Sequence, residues 1–169
     1  MNVAETERLT LRHFAVTDAE FFCRLLNEPS WLQNIGDRGV RSIEDAQQYI
    51  QNKTMEMYRT LGFGMYLVES KPDASPIGIC GLVKRDSLDA VDLGFALLPE
   101  YCGKGYAFEA ARAVMDYARV SHGLSRVLAV VVPTNQRSTM LLEKLGFVLQ
   151  GPIRLAPDSE ELRLYATAA

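Results

Sequence analysis

DLGFALLPEYCGKGYAFEAA, residues Asp92 to Ala111, contains a complete transition from strand through turn to helix. The run from Val91 to Leu98 has the composition of a strand, and Pro99, which lacks an N–H, stops it. Gly103-Lys104-Gly105 forms a tight turn that opens straight into a helix. From there Ala107, Ala110, Ala111, Val114, Met115 and Ala118 recur at helical spacing, small enough to pack closely on a sheet. The first N–H groups of such a helix have no intrahelical partner. Glycines let a ligand approach them closely, and the helix dipole favours negative charge there. The stretch is therefore a candidate anion site.

Two common anion loops do not fit. A dinucleotide fingerprint needs a glycine at position 108, which is Phe108, and an acid after the next strand, where Pro133-Thr134-Asn135 stand. A nucleotide-triphosphate loop ends in Gly-Lys-Ser/Thr, and here Lys104 is followed by Gly105.

Working outward, Glu7 to Phe14 alternates as one strand, and Thr17 with Glu20 offers a capping box for a helix carrying Phe21, Phe22, Leu25 and Leu26. Trp31 to Arg41 reads as an irregular segment. Ser42 caps a second helix ending near Gly62. Phe63 to Glu69, Ile77 to Lys84 and Val91 to Leu98 form a meander. Beyond the alanine-rich helix, Val127 to Val132 is a strand buried on both faces. Ser138, Leu141, Leu142 and Leu145 mark a last helix closed by Gly146, and Phe147 to Gln150 and Leu162 to Thr167 end the sheet. The expected order is β-α-α-β-β-β-α-β-α-β-β, an α+β fold with a mixed, mostly antiparallel central sheet flanked by helices.

The chain has 169 residues, 48% hydrophobic and 23% charged, with a formal net charge of −3. One domain spanning residues 1–169 is expected. An acidic chain of this kind argues against sequence-independent nucleic-acid binding. Three cysteines without paired spacing, far from His13 and His122, argue against a disulfide framework and a metal site and fit a reducing cytoplasm. No signal peptide and no membrane-spanning run is expected.

The loop Cys102-Gly103-Lys104-Gly105-Tyr106-Ala107 resembles the acyl-coenzyme A loop of the GNAT superfamily of N-acetyltransferases, whose pattern is Gln/Arg-x-x-Gly-x-Gly/Ala. Thr6-Glu-Arg-Leu-Thr-Leu-Arg12, Ile77-Gly-Ile-Cys-Gly-Leu82, Asn135-Gln-Arg-Ser138 and Glu143-Lys-Leu-Gly-Phe147 extend the resemblance over most of the chain, closest to the RimJ/RimL-like branch. The resemblance implies acetyl-CoA as cosubstrate and a primary amine as acceptor, either a protein N-terminus or a small molecule. The alternative is a catalytically weak CoA-binding sensor. It puts Phe95, Ala96, Leu97 and Leu98 along the pantetheine arm, and Cys102, Gly103, Lys104, Gly105, Tyr106 and Ala107 around the pyrophosphate. Asn135 would bond the pantetheine region. A homodimer through the C-terminal strands would suit the family.

Two positions depart from the family. Cys102 replaces the expected Gln or Arg, and a thiol beside a helix N-terminus is a candidate for reactivity. Leu142 stands where many members carry a tyrosine acid, which leaves Ser138 as the candidate proton donor to the thiolate, with helix capping as its other reading. Asp92 is the candidate base, or else an ion-pairing residue at a strand edge. Glu100 and Glu109 read as loop and helix surface. Asn27 to Val40 and the second helix form the expected acceptor rim, with Trp31, Asn34, Arg38 and Arg41 as contacts; the two arginines could instead pair with Asp37 and Glu44.

Overall fold

The computed structural model describes residues 1–168. Eight strands form one sheet: β1 (Asn2–Glu5), β2 (Leu9–Arg12), β3 (Met65–Ser70), β4 (Ser75–Val83), β5 (Asp92–Leu97), β6 (Leu128–Val131), β7 (Phe147–Ile153) and β8 (Leu162–Thr167). Their order is β1-β2-β3-β4-β5-β6-β8-β7. Every neighbouring pair is antiparallel except β5 and β6. A parallel pair needs a long crossover, and α5 (Tyr106–His122) supplies it.

The helices divide between the faces. Leu9, Leu11, Tyr66, Val68 and Leu82 pack with Ala110, Ala111, Val114 and Ala118 of α5. Alternate residues, Leu67 and Ile79, face the other way and pack with α1 (Ala19–Leu26), α2 (Pro29–Asn34) and α3 (Ile43–Tyr49). The period of two along the strands thus produces two cores, one per face. The four small buried side chains of α5 let it lie close on the sheet, as their spacing predicts.

Three expectations at the N-terminal end need correction. The first strand is a hairpin: β1 precedes β2, and Thr6 N–H bonds the Leu9 carbonyl to turn the chain between them. Trp31 to Arg41 is not wholly irregular, because Pro29 at the first helical position starts α2. Thr17 makes no cap. Asp18 instead reaches back to the Ala15 N–H at 2.8 Å, and Arg12 grips both its oxygens at 2.8 Å. A charged partner across the chain outcompetes a hydroxyl cap. The second helix is capped by Ser42, whose hydroxyl accepts the Asp45 N–H, and ends at Gly62. A π-helical turn at Ile50–Thr54 divides it into α3 and α4 (Met55–Leu61).

Candidate active site

β5 is paired with β4 along its whole length, from Asp92 opposite Val83 to Leu97 opposite Gly78. It meets β6 only at one end. Asp92 stands opposite Leu128, whose N–H donates to the Val91 carbonyl at 2.9 Å. Beyond that point the strands diverge, so one edge of β5 from Leu93 to Leu97 has no strand partner. Between them opens a cleft of about 850 Å³, lined by Leu93 to Leu97 on one wall and Ala129 to Val132 on the other. An unpaired strand edge in a cleft offers its N–H and C=O groups to an extended ligand.

The cleft ends at the glycine loop. After a 3₁₀ turn at Pro99–Tyr101, Gly103 and Gly105 both take left-handed conformations, with φ of +77° and +83°. Side chains rarely tolerate this region, so the tight turn requires glycine twice. Gly105 is the N-cap of α5, and no side chain caps the helix. The Tyr106, Ala107 and Phe108 N–H groups belong to the first turn and have no acceptor within the helix. A Cβ on Gly103 would meet nothing within 4 Å, so the space over the turn is open.

Most of the predicted residues converge here. Phe95, Ala96, Leu97, Cys102, Gly103, Gly105, Tyr106, Ala107, Asn135, Ser138 and Asp92 line the cleft, as do Trp31, Asn34 and Arg38. Three others lie elsewhere. Leu98 is buried in the core against the N-terminal helices. Lys104 extends over the Tyr101 ring. Arg41 bonds Asp37, the Asn27 side chain at 3.2 Å and the Val40 carbonyl at 3.1 Å, so it braces the segment between α1 and α3 rather than facing the cleft. Trp31 is only 7% exposed and packs in the core while also lining the cleft.

Asp92 is 1% exposed, at the fork of β5 and β6. Burial pushes its carboxyl above the usual range against the opposing pull of Arg85, whose Nε stands at 3.1 Å. Asn135 caps α6 (Gln136–Lys144) by accepting the Ser138 N–H at 3.2 Å. Ser138 and Leu142, one helical turn apart, line the same cleft. Leu142 is fully buried and offers no proton, and among the described residues the Ser138 hydroxyl makes no hydrogen bond. Neither histidine lines the cleft.

Between residues 8 and 148 the chain matches the family described as Acetyltransferase (GNAT) domain. It belongs to the GNAT acetyltransferase family. Among its relatives, the uncharacterized N-acetyltransferase YoaA of Bacillus subtilis is 30% identical over 154 residues, covering 90% of this chain and 86% of YoaA. A crystal structure of an acetyltransferase from Agrobacterium tumefaciens superposes with a TM-score of 0.82 at 26% identity, over 100% of this chain and 95% of that one. RimL, a ribosomal alpha-N-protein acetyltransferase solved with coenzyme A, shares the fold with a TM-score of 0.83 at 19% identity, over 98% and 97% of the two chains. As a GNAT acetyltransferase the protein uses acetyl-CoA as its acetyl donor.

Arg8, Thr6 and Glu109 are the polar residues at the loop that sequence reasoning missed. Glu109 is not helix surface. It accepts hydrogen bonds from the Thr6 hydroxyl at 2.6 Å, the Arg8 N–H at 3.0 Å and Arg8 Nε at 2.7 Å. Burial would raise its pKa, but these donors prevail and hold it below the ordinary carboxylate value. Arg8 and Thr6 stand in the TERLTLR segment, but about a hundred residues separate them from Glu109, so only the folded chain joins them. Arg85 also went unnoticed: it lies in the turn between β4 and β5, only 7 residues before Asp92, and no local pattern shows that this turn folds its side chain back onto the strand. No helix of the described chain is long and apolar enough to cross a membrane.

Proposed function

We propose that the protein acetylates a primary amine, on a protein N-terminus or a small molecule, by direct attack within the cleft. The observation that carries this reading is the parting of β5 from β6 after Asp92, beside an uncapped helix N-terminus. The free edge of β5, at Phe95 to Leu97, suits an amide-bearing pantetheine arm. The open amides of the Gly103–Ala107 turn suit a diphosphate. Asn135, whose amide N–H₂ makes no bond among the described residues, can reach the same arm.

When bound, acetyl-CoA supplies the activated thioester carbonyl that the amine attacks, with a thiolate leaving. An N–H on the free edge of β5 polarises a carbonyl seated there. Asp92 takes a proton from the incoming ammonium; its raised pKa brings it nearer the range a general base needs. Ser138 hands its hydroxyl proton to the thiolate and takes up the second proton that the attacking nitrogen sheds, a role Leu142 cannot fill. Trp31, Asn34 and Arg38 line the end of the cleft where the acceptor enters. Three unpaired thiols suit work in a reducing cytoplasm.

The test is calorimetric titration of Gly105→Glu with CoA. A side chain in the left-handed position and a carboxylate at the phosphate seat should abolish binding while circular dichroism stays native. Full affinity in this variant sinks the loop assignment. A panel of amines in a thiol-release assay then separates an enzyme from a sensor: binding of CoA without transfer to any amine favours the sensor.

A further inference from the structure

The glycine turn has a second side. Gly105 lines the cleft and also a shallower hollow of about 820 Å³ that runs along β1 and α5 and contains Arg8. The Arg8 guanidinium lies against the turn from that side. Its Nη1 donates to the Lys104 carbonyl at 3.0 Å, its Nε donates to Glu109, and its Cζ lies 4.4 Å from the Tyr106 ring centroid. Nη2 remains: it makes no hydrogen bond among the described residues, and it lies 3.2 Å from where a Cβ on Gly105 would be. Only a residue without a side chain separates this free corner from the helix end.

Glu109 explains why a cation is needed there. It is the one acid in the first turn of α5, where its charge would oppose any phosphate. Three donors turn it toward Thr6 and Arg8 and neutralise it in place. The bond to the Lys104 carbonyl also fixes the orientation of the Lys104–Gly105 peptide, so that this carbonyl does not turn its negative end into the anion seat.

We infer that Arg8 is a cofactor-binding residue: anchored by Glu109 and by the Lys104 carbonyl, it presents Nη2 to the diphosphate of acetyl-CoA across Gly105. The inference rests on the loop assignment made above. A charge-assisted bond to phosphate commonly contributes 10- to 100-fold in affinity, roughly.

Arg8→Met keeps the stem and removes the guanidinium. Calorimetry should show CoA and dephospho-CoA both weakened by about 10-fold or more, by the same factor. The kcat/KM preference for acetyl-CoA over S-acetylpantetheine, which has no diphosphate, should fall by that factor. An unchanged preference overturns the inference, because Arg8 would then only hold the fold. A loss confined to CoA overturns it too, since that points to the 3′-phosphate. Should Arg8→Met not fold, Arg8→Lys is measured. Its ammonium cannot serve Glu109, the Lys104 carbonyl and a diphosphate together, so CoA binding weakens; wild-type affinity overturns the inference. If Gly105→Glu keeps CoA affinity, the loop assignment itself fails. If Gly105→Glu loses CoA and neither Arg8 variant weakens it, only the role of Arg8 fails.

Discussion

Asp92 and Arg85 meet at 3.1 Å where β5 and β6 part, and the acid is far the more deeply buried, its side chain 2% exposed against 31% for the arginine. Burial raises the carboxyl, and the guanidinium opposes it without prevailing. A base of this kind sets an acidic limb in the rate profile. Asp92→Asn should lower kcat/KM for a lysine-like amine by about 100-fold. The effect should be smaller for an α-amino group, which is partly neutral near pH 7.7–8.0, roughly its own pKa. Thiol release followed from pH 5 to 9, roughly the range of interest, checks this, and an unchanged profile removes Asp92 as the base.

The same carboxyl also leaves a mark on stability. Its folded pKa is raised, so the folded chain holds this proton more tightly than the unfolded chain. Its contribution is complete below the unfolded value, about 3.9, and is lost as pH rises through the raised folded value. Urea unfolding at stepped pH should show this slope in the parent and lose it in Asp92→Asn.

Ser138 lines the cleft, and the helix cap is made by its backbone N–H donating to Asn135, so its hydroxyl takes no part in the cap. Ser138→Ala should therefore reduce kcat by about 10²-fold with little change in Tm. Asn135→Ala should cost about 1 kcal/mol of stability through the lost cap. Paired kinetic and thermal measurements separate the two. A Ser138→Ala variant with wild-type kcat would show that the thiolate leaves without help from this residue.

Arg12 ties the start of α1 to the sheet. It grips Asp18 at 2.8 Å and Glu69 at 3.2 Å. Burial would raise the Asp18 pKa, but the bonds from Arg12 and the Ala15 N–H prevail and lower it. Arg12→Met leaves both acids without their partner and should cost about 2 to 4 kcal/mol, a fall of roughly 5 to 10 °C in Tm. The contribution of Asp18 is present above the ordinary carboxylate range and is lost as pH falls through its lowered value, so the gap between parent and variant should close in acid. A gap that persists there would mean packing, not charge, is lost.

The single tryptophan is a built-in reporter. Trp31 is packed in the core yet also lines the cleft, on the wall proposed to receive the acceptor. A productive amine should change its emission, and CoA alone should change it less. Trp31→Phe should raise KM for the amine while leaving CoA affinity near that of the parent. A variant with altered CoA affinity and unchanged amine KM would assign this wall to the other substrate.

The elements of the chain's second half were legible because each carries a strong local signal. The alanine spacing of α5 and the glycines on either side of Lys104 both depend on neighbours within a few residues. The N-terminal half was read less well. The β1–β2 turn, the start of α2 and the Asp18 cap depend on partners elsewhere. In the last case that partner is Arg12, a residue that precedes the helix and reaches across to it.

By itself the sequence determined a strand that stops at Pro99, a turn requiring two glycines and a helix whose first N–H groups stand uncapped. These are local facts of dihedral angle and hydrogen-bond supply, and they mark a candidate anion seat. Only the tertiary structure decided which cation stands against the turn and which partner the candidate base has. Lys104 lies beside the seat in sequence but extends over Tyr101, while Arg8 reaches the turn from the first hairpin. Asp92 was visible in the sequence, but not its burial at the strand fork or its contact with Arg85. Electrostatic effects depend on separation in space and on exclusion of water, and both are set only when distant segments pack.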